Sequence, residues 1–258
     1  MKFLYKTLII SFFTIFFFGC HESNNYDEEN IITINVGAES EETDSSNLDE
    51  RTNIGSNITS SNTPLTLLAL GDSYTIGEAV SEDQRWPNQF RIFANENGYN
   101  FVNPRIIAET GWKTSDLINA VESSSFEIKY DYVSLLIGVN NQFNSRPVDE
   151  FRDDLNKLLI KINNLKTKNG NVLIISIPDW GSSPFGVNFD RNKISNEINI
   201  FNNILKSFAN INGLKYVDVT EISRRAIYQP ALIADDNLHP SGIMYLEWVK
   251  KIYNIWID

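Results

Sequence analysis

From residue 63 onward, short continuous apolar runs alternate with stretches whose apolar residues recur every three or four positions. Residues 65–70 form an apolar run bounded by Pro64 and Gly71, which predicts a buried strand. Residues 87–97 follow with a proline in the first turn and Gly98 just past the end, the usual punctuation of a helix. A second strand is expected over 101–108, placed toward the sheet edge because Pro104 cannot donate to a ladder. A short helix over 114–122 and a third strand over 132–137, closed by Gly138, come next. The clearest periodicity runs from 148 to about 168, with Val148, Phe151, Leu155, Leu158, Leu159, Ile162 and Leu165 on one face. Residues 172–177 are apolar throughout apart from Ser176, as expected of a strand covered on both faces. A loop rich in Pro, Gly, Ser and aromatics spans 178–189. A helix carrying Ile194, Ile198, Phe201, Leu205 and Phe208, a fifth strand over 216–219 and a last amphipathic helix over 241–255 complete the chain. Strands alternating with helices predict an α/β fold with a five-stranded parallel sheet between helix layers.

The first 62 residues read differently. Lys2 and Lys6 precede a nearly unbroken apolar run over 7–18, and Gly19-Cys20 follows. The run is shorter than the ~20 residues that span a bilayer and has the layout of a signal peptide. Cys20 is the only cysteine, so an intramolecular disulfide is excluded. The segment is similar to a bacterial lipoprotein signal, which makes residues 1–19 the leader and Cys20 the lipidated first residue of the mature chain. Phe17 and Phe18 depart from the aliphatic-then-small pattern usual before that cysteine. The implied location is the bacterial cell envelope, with the membrane reached through the lipid rather than through a spanning helix. Residues 20–62 are an acidic, flexible tether, too poor in apolar residues to fold alone. Ten of the chain's 33 acidic residues fall in 21–62 against Arg51 alone, so most of the net charge of −11 belongs to the tether. No basic stripe is present, which argues against nucleic acid as a partner.

The candidate chemistry lies in the domain over 63–258. The chain has two histidines, and His21 lies in the tether, so any imidazole chemistry falls to His239. It sits in Asp236-Asn237-Leu238-His239, directly before Pro240. Far upstream, the first expected strand runs into Gly71-Asp72-Ser73. A serine hydroxyl is a weak nucleophile until a base takes its proton, and a carboxylate orients that base. Ser73, His239 and Asp236 would supply those three parts. Ser73, Gly111 and Asn140 each follow an expected strand, and parallel sheets build their sites at the strands' carboxyl ends. Backbone N–H groups of Ser73 and Gly111 and the Asn140 side-chain amide are then candidate oxyanion donors. Taken singly, each motif has a plain alternative: Asp72 as a helix cap, Gly111, Gly138 and Asn140 as turn residues, and His-Pro-Ser as a helix start. A metal site on Asp72, Asp236 and His239 lacks the second histidine or cysteine of a usual zinc set, so no metal is expected. Trp112, Phe143, Trp180 and Phe185 flank the site and receive no assigned role. Trp248 and Trp256 read as packing residues.

Gly71-Asp72-Ser73-Tyr74, Gly111, Gly138-Val139-Asn140 and Asp236-x-x-His239 resemble, in order, the four sequence blocks of the SGNH/GDSL hydrolases. The resemblance covers about 65–255 and implies a flavodoxin-like three-layer α/β/α sandwich. It also implies a cofactor-free esterase acting through an acyl-serine, with Ser73, His239 and Asp236 as triad and Ser73, Gly111 and Asn140 as oxyanion hole. Its substrates would be short acyl esters, acetylated glycans or lysolipids. One departure is that the third block usually ends Asn-Asp, where this chain has Asn140-Asn141. The absence of a Gly-x-Ser-x-Gly elbow argues against the ordinary α/β-hydrolase fold. The alternative is a catalytically weak, glycan-binding surface lipoprotein on the same scaffold, since fold alone does not fix function. Oligomeric state is not legible.

Overall fold

A computed structural model describes residues 63–257. The leader, Cys20 and the tether lie outside the described residues. Five parallel strands, β1 (Leu67–Gly71), β2 (Arg105–Ala108), β3 (Tyr130–Leu136), β4 (Lys166–Ile175) and β5 (Lys215–Val217), pair in the order β2-β1-β3-β4-β5. This is the flavodoxin-like order, in which the connections reverse direction between β1 and β3. The crevice therefore opens beyond the ends of those two strands.

Among the described residues, eight α-helices connect and cover the sheet: α1 (Ser73–Ile76), α2 (Trp86–Glu96), α3 (Thr114–Ser123), α4 (Val139–Phe143), α5 (Val148–Leu165), α6 (Arg191–Ile211), α7 (Thr220–Arg224) and α8 (Gly242–Trp256). α2 and α8 pack together through Phe90 on Trp256 and Phe93 on Tyr253. α5 and α6 meet through Phe151 and Phe201, and α3 lies against α5. With helices on both faces, β1 is buried along its whole length. Trp248 and Trp256 are core residues, as expected for packing residues of the last helix.

The expected elements are all present, and their ends shift for identifiable reasons. β2 occupies the sheet edge and is shorter than expected, because Pro104 separates it from an isolated bridge between Leu65 and Phe101. α5 stops at Leu165 rather than near 168, and Lys166 already pairs with Tyr130 as the first residue of β4. The ladder then slips before Asn171 pairs with Tyr132, a bulge that contains Gly170. The 178–189 segment is not a bare loop: two 3₁₀ turns, Trp180–Ser182 and Phe185–Asn188, fold it against the domain. Its anchor is the buried Asp179, which takes hydrogen bonds from Ser195 Oγ at 2.6 Å, Arg224 Nε at 3.0 Å and Gly181 N–H at 3.1 Å. Charge-assisted bonds of this kind hold an irregular segment that has no ladder of its own.

Candidate active site

Strand β1 ends where it must turn sharply. A Cβ on Gly71 would lie 2.4 Å from the Leu136 carbonyl oxygen and closer still to Thr75, so only glycine lets β1 close against β3 and α1. Asp72 then caps α1, accepting from Tyr74 N–H at 3.1 Å. Ser73 becomes the first residue of that four-residue helix, and its own N–H has no backbone partner. Gly111, after β2, adopts φ +87°, a left-handed conformation open to glycine, and its N–H is likewise unpaired. Asn140 lies in α4 just past β3 and donates one side-chain N–H to the Trp112 carbonyl at 3.0 Å, which leaves the other hydrogen free.

The fourth segment is a tight turn. Asn237 takes φ +65°, tolerable for asparagine, and Asp236 Oδ1 accepts from Leu238 N–H at 2.9 Å and His239 N–H at 3.0 Å. The other carboxylate oxygen, Oδ2, lies 2.5 Å from His239 Nδ1. Partial burial raises the Asp236 pKa, but the imidazole bond and the two backbone N–H groups outweigh it, and the net direction is down. The carboxylate is thus held charged against the ring. His239 is 8% exposed and meets the Tyr74 ring edge-on at 5.7 Å. Burial, aided by the surrounding carboxylates, pushes the Tyr74 phenol up, so it stays neutral.

These segments converge. Ser73, Gly111, Asn140 and His239 all line one cavity of about 160 Å³, with Phe143, Trp180 and Phe185 among its walls. Ser73 Oγ makes no hydrogen bond to the imidazole here. Such contacts are often long in ligand-free sites and close in the substrate complex. Of the four aromatics left without a role, Phe143, Trp180 and Phe185 border this cavity, whereas Trp112 contributes its carbonyl to Asn140. Asp72 lies beneath the site, fully buried, with Oδ2 unpartnered. Burial raises its pKa to about 7 even though three backbone N–H groups pull the other way.

Asn141 serves the scaffold. It is fully buried, accepts from Thr114 N–H at 3.0 Å and donates to Thr114 Oγ1 at 2.9 Å. The Thr114 hydroxyl in turn donates to Asp154 Oδ2 at 2.7 Å. The amide thus ties α4 to the first turn of α3 and, through it, to α5. The sequence held a signal for this: Asp154 interrupts the apolar face of α5, three residues after Phe151.

Comparison with known proteins agrees with the geometry. A model of the GDSL-like lipase/acylhydrolase family matches residues 69–245. A multidomain esterase of Ruminococcus flavefaciens is 25% identical over 169 residues; these are 64% of this chain and 20% of that protein, so the chain spans about a fifth of its relative's length. Among solved structures, a lipolytic protein of the G-D-S-L family from Veillonella parvula superposes with a TM-score of 0.60 at 19% identity, covering 75% of this chain and 99% of its own. An acetyl xylan esterase from Geobacillus stearothermophilus gives 0.57 at 18% identity, covering 74% and 93%. The family match takes in the ends of β1, β2 and β3 and the histidine turn alike, and this chain belongs to the GDSL-like lipase/acylhydrolase family.

Proposed function

We propose that the protein is a serine esterase that cleaves carboxylic esters of small acyl groups through an acyl-Ser73 intermediate. Ser73 Oγ attacks the ester carbonyl while His239 Nε2 takes its proton, and Asp236 stabilises the resulting imidazolium. The tetrahedral oxyanion is met by the N–H groups of Ser73 and Gly111 and by the Asn140 amide. Collapse breaks the ester C–O bond, and His239 returns the proton to the departing alcohol. A water, deprotonated by the same ring, then attacks the acyl-enzyme and frees the acid and the serine. The observation that carries this reading is the meeting of Ser73, two unpaired backbone N–H groups and a carboxylate-oriented imidazole around one small cavity. The acetyl xylan esterase named above supports an acylated glycan as the substrate, and the multidomain esterase supports ester cleavage alone. The test is turnover of p-nitrophenyl acetate, expected to fall by several orders of magnitude in Ser73→Ala and His239→Ala while the melting temperature holds. A fluorophosphonate probe should label Ser73. Equal rates in variants and parent, or labelling elsewhere, would remove the esterase.

We further propose that the chain is anchored to the bacterial cell envelope by a lipid on Cys20, on the strength of Lys2, Lys6, the apolar run over 7–18 and Gly19-Cys20. Cys20→Ala should release the protein from the membrane fraction. Unchanged fractionation would rule the anchor out.

A further inference from the structure

Next to the catalytic cavity lies a second of about 270 Å³, and Phe143 and Trp180 line both. Its chemistry is mixed in a particular way. Phe143 and Phe189 stand 50% and 44% exposed, unusual for large aromatics packed this closely around Trp180. Glu197, Lys193, Asp190 and Gln142 line the same cavity. The polar groups are pre-arranged: Gln142 Oε1 accepts from Trp180 Nε1 at 2.8 Å, and its Nε2 donates to Glu197 Oε2 at 2.7 Å. A third cavity of about 220 Å³ continues past Gln142, Ser145 and Glu197.

An aliphatic chain has little to gain there, because packing it against Glu197, Lys193 and Asp190 would desolvate charges without replacing their hydrogen bonds. A sugar ring fits both halves of the wall. Its C–H face covers the exposed aromatic edges, and its hydroxyls meet a carboxylate and an amide already held in place. We propose that this second cavity is a subsite for a neutral glycosyl unit, adjacent to the sugar that carries the acyl ester. The inference rests on the esterase reading for its role in turnover, and on the cavity alone for binding. The catalytic cavity holds the acyl group, and the glycan lies outward across the Phe143–Trp180 wall, with the third cavity leaving space for an oligosaccharide.

Binding and turnover are tested separately. Calorimetry on the full chain carrying Ser73→Ala uses xylotriose, mannotriose and N,N′,N″-triacetylchitotriose as probes. Binding of at least one is expected, with Kd raised tenfold or more by Phe189→Ala or Glu197→Ala. In the active protein, either substitution should lower the ratio of kcat/KM on the acetylated trisaccharide to kcat/KM on p-nitrophenyl acetate at least tenfold. Absence of binding to all three probes overturns the subsite even if p-nitrophenyl acetate is turned over, and so do equal losses on both substrates. Rates that climb with acyl length from acetate to dodecanoate would assign the cavity to acyl chains and overturn it as well. Trisaccharide binding without ester turnover in the parent would keep the subsite and remove the esterase.

Discussion

The two adjoining cavities are built by different means. The candidate catalytic one is made just past strand ends: Ser73 follows β1, Gly111 follows β2 and Asn140 follows β3, and a four-residue turn presents His239. Its donors are backbone N–H groups and the Asn140 amide, carried on the short helix just past β3. The second is made of side chains from α4, α6 and the 178–189 segment, and hydrogen bonds between residues 38 and 55 positions apart hold it. Reaction chemistry is thus placed by backbone geometry, and the adjoining surface by tertiary packing. A substitution in the first should cost rate with little cost to the scaffold, and one in the second should alter selection among substrates.

The largest expected effect breaks the comparison on the catalytic side. Asp236→Asn keeps an acceptor for the Leu238 and His239 N–H groups but removes the charge facing Nδ1. The kcat for p-nitrophenyl acetate should fall on the order of 10³- to 10⁴-fold, the scale seen when a triad acid becomes an amide. Trisaccharide affinity should change less than twofold. A parallel loss of both would mean that the cavities act as one. Next in size is Asn140→Ala, which removes a side-chain donor and leaves both backbone N–H groups. It should cost about 10²- to 10³-fold in kcat with KM nearly constant, since an oxyanion donor acts mainly in the transition state. A rise in KM at unchanged kcat would assign Asn140 to ground-state binding instead.

The same contrast explains what could be read from the sequence. Ser73, Asn140 and His239 were legible because each follows a strand or sits in a turn whose residues announce themselves: Gly71 and Gly138 by their close packing, Asn237 by its tolerance of positive φ. The 178–189 segment read as a loop because nothing local indicates that Asp179 will meet Ser195, Arg224 and Ser223, residues 16 to 45 positions away. The early end of α5 was hidden for the same reason. The Lys166-Thr167-Lys168 run carries neither glycine nor proline, and pairing of Lys166 with Tyr130 decides the boundary. α4 was missed because five residues are too few for a periodicity to register.

Polar satisfaction also separates the two regions. Gln142, on the second cavity, is bonded at both ends, whereas Asp72, under the catalytic one, is fully buried with Oδ2 unpartnered. Unpartnered buried groups are a stability cost that functional sites often retain. With the Asp72 pKa at about 7 in the fold and near 3.8 in the unfolded chain, folding takes up a proton between those values. Stability therefore falls as pH rises from about 4 to about 7 and then levels off. Asp72→Asn, which keeps the acceptor for Tyr74 N–H, should remove this slope. The variant should be more stable than the parent by about 4 kcal/mol at pH 8 and show little advantage at pH 4. Urea unfolding at pH 4, 6 and 8 measures it, and a parent whose stability rises through this window would contradict the assignment.

The smallest expected effect distinguishes neighbours in sequence, Asn140 facing the cavity and Asn141 facing the scaffold. Asn141 donates to Thr114 Oγ1, and the Thr114 hydroxyl donates to Asp154. Asn141→Asp turns that donor into a second carboxylate competing for a single hydroxyl hydrogen, in a pocket where Asn141 is fully buried and Asp154 nearly so. The single variant should lose about 1–2 kcal/mol near neutral pH, and the loss should shrink as pH falls and one carboxyl takes a proton. Pairing it with Asp154→Asn exchanges the roles: the hydroxyl donates to the new carboxylate, and the new amide donates to the hydroxyl. The double variant should recover most of the loss, a coupling of about 1 kcal/mol readable in a double-mutant cycle by urea unfolding. Strict additivity of the two substitutions would mean that Thr114 does not relay between them, and that the amide in place of the family's usual carboxylate has some other cause.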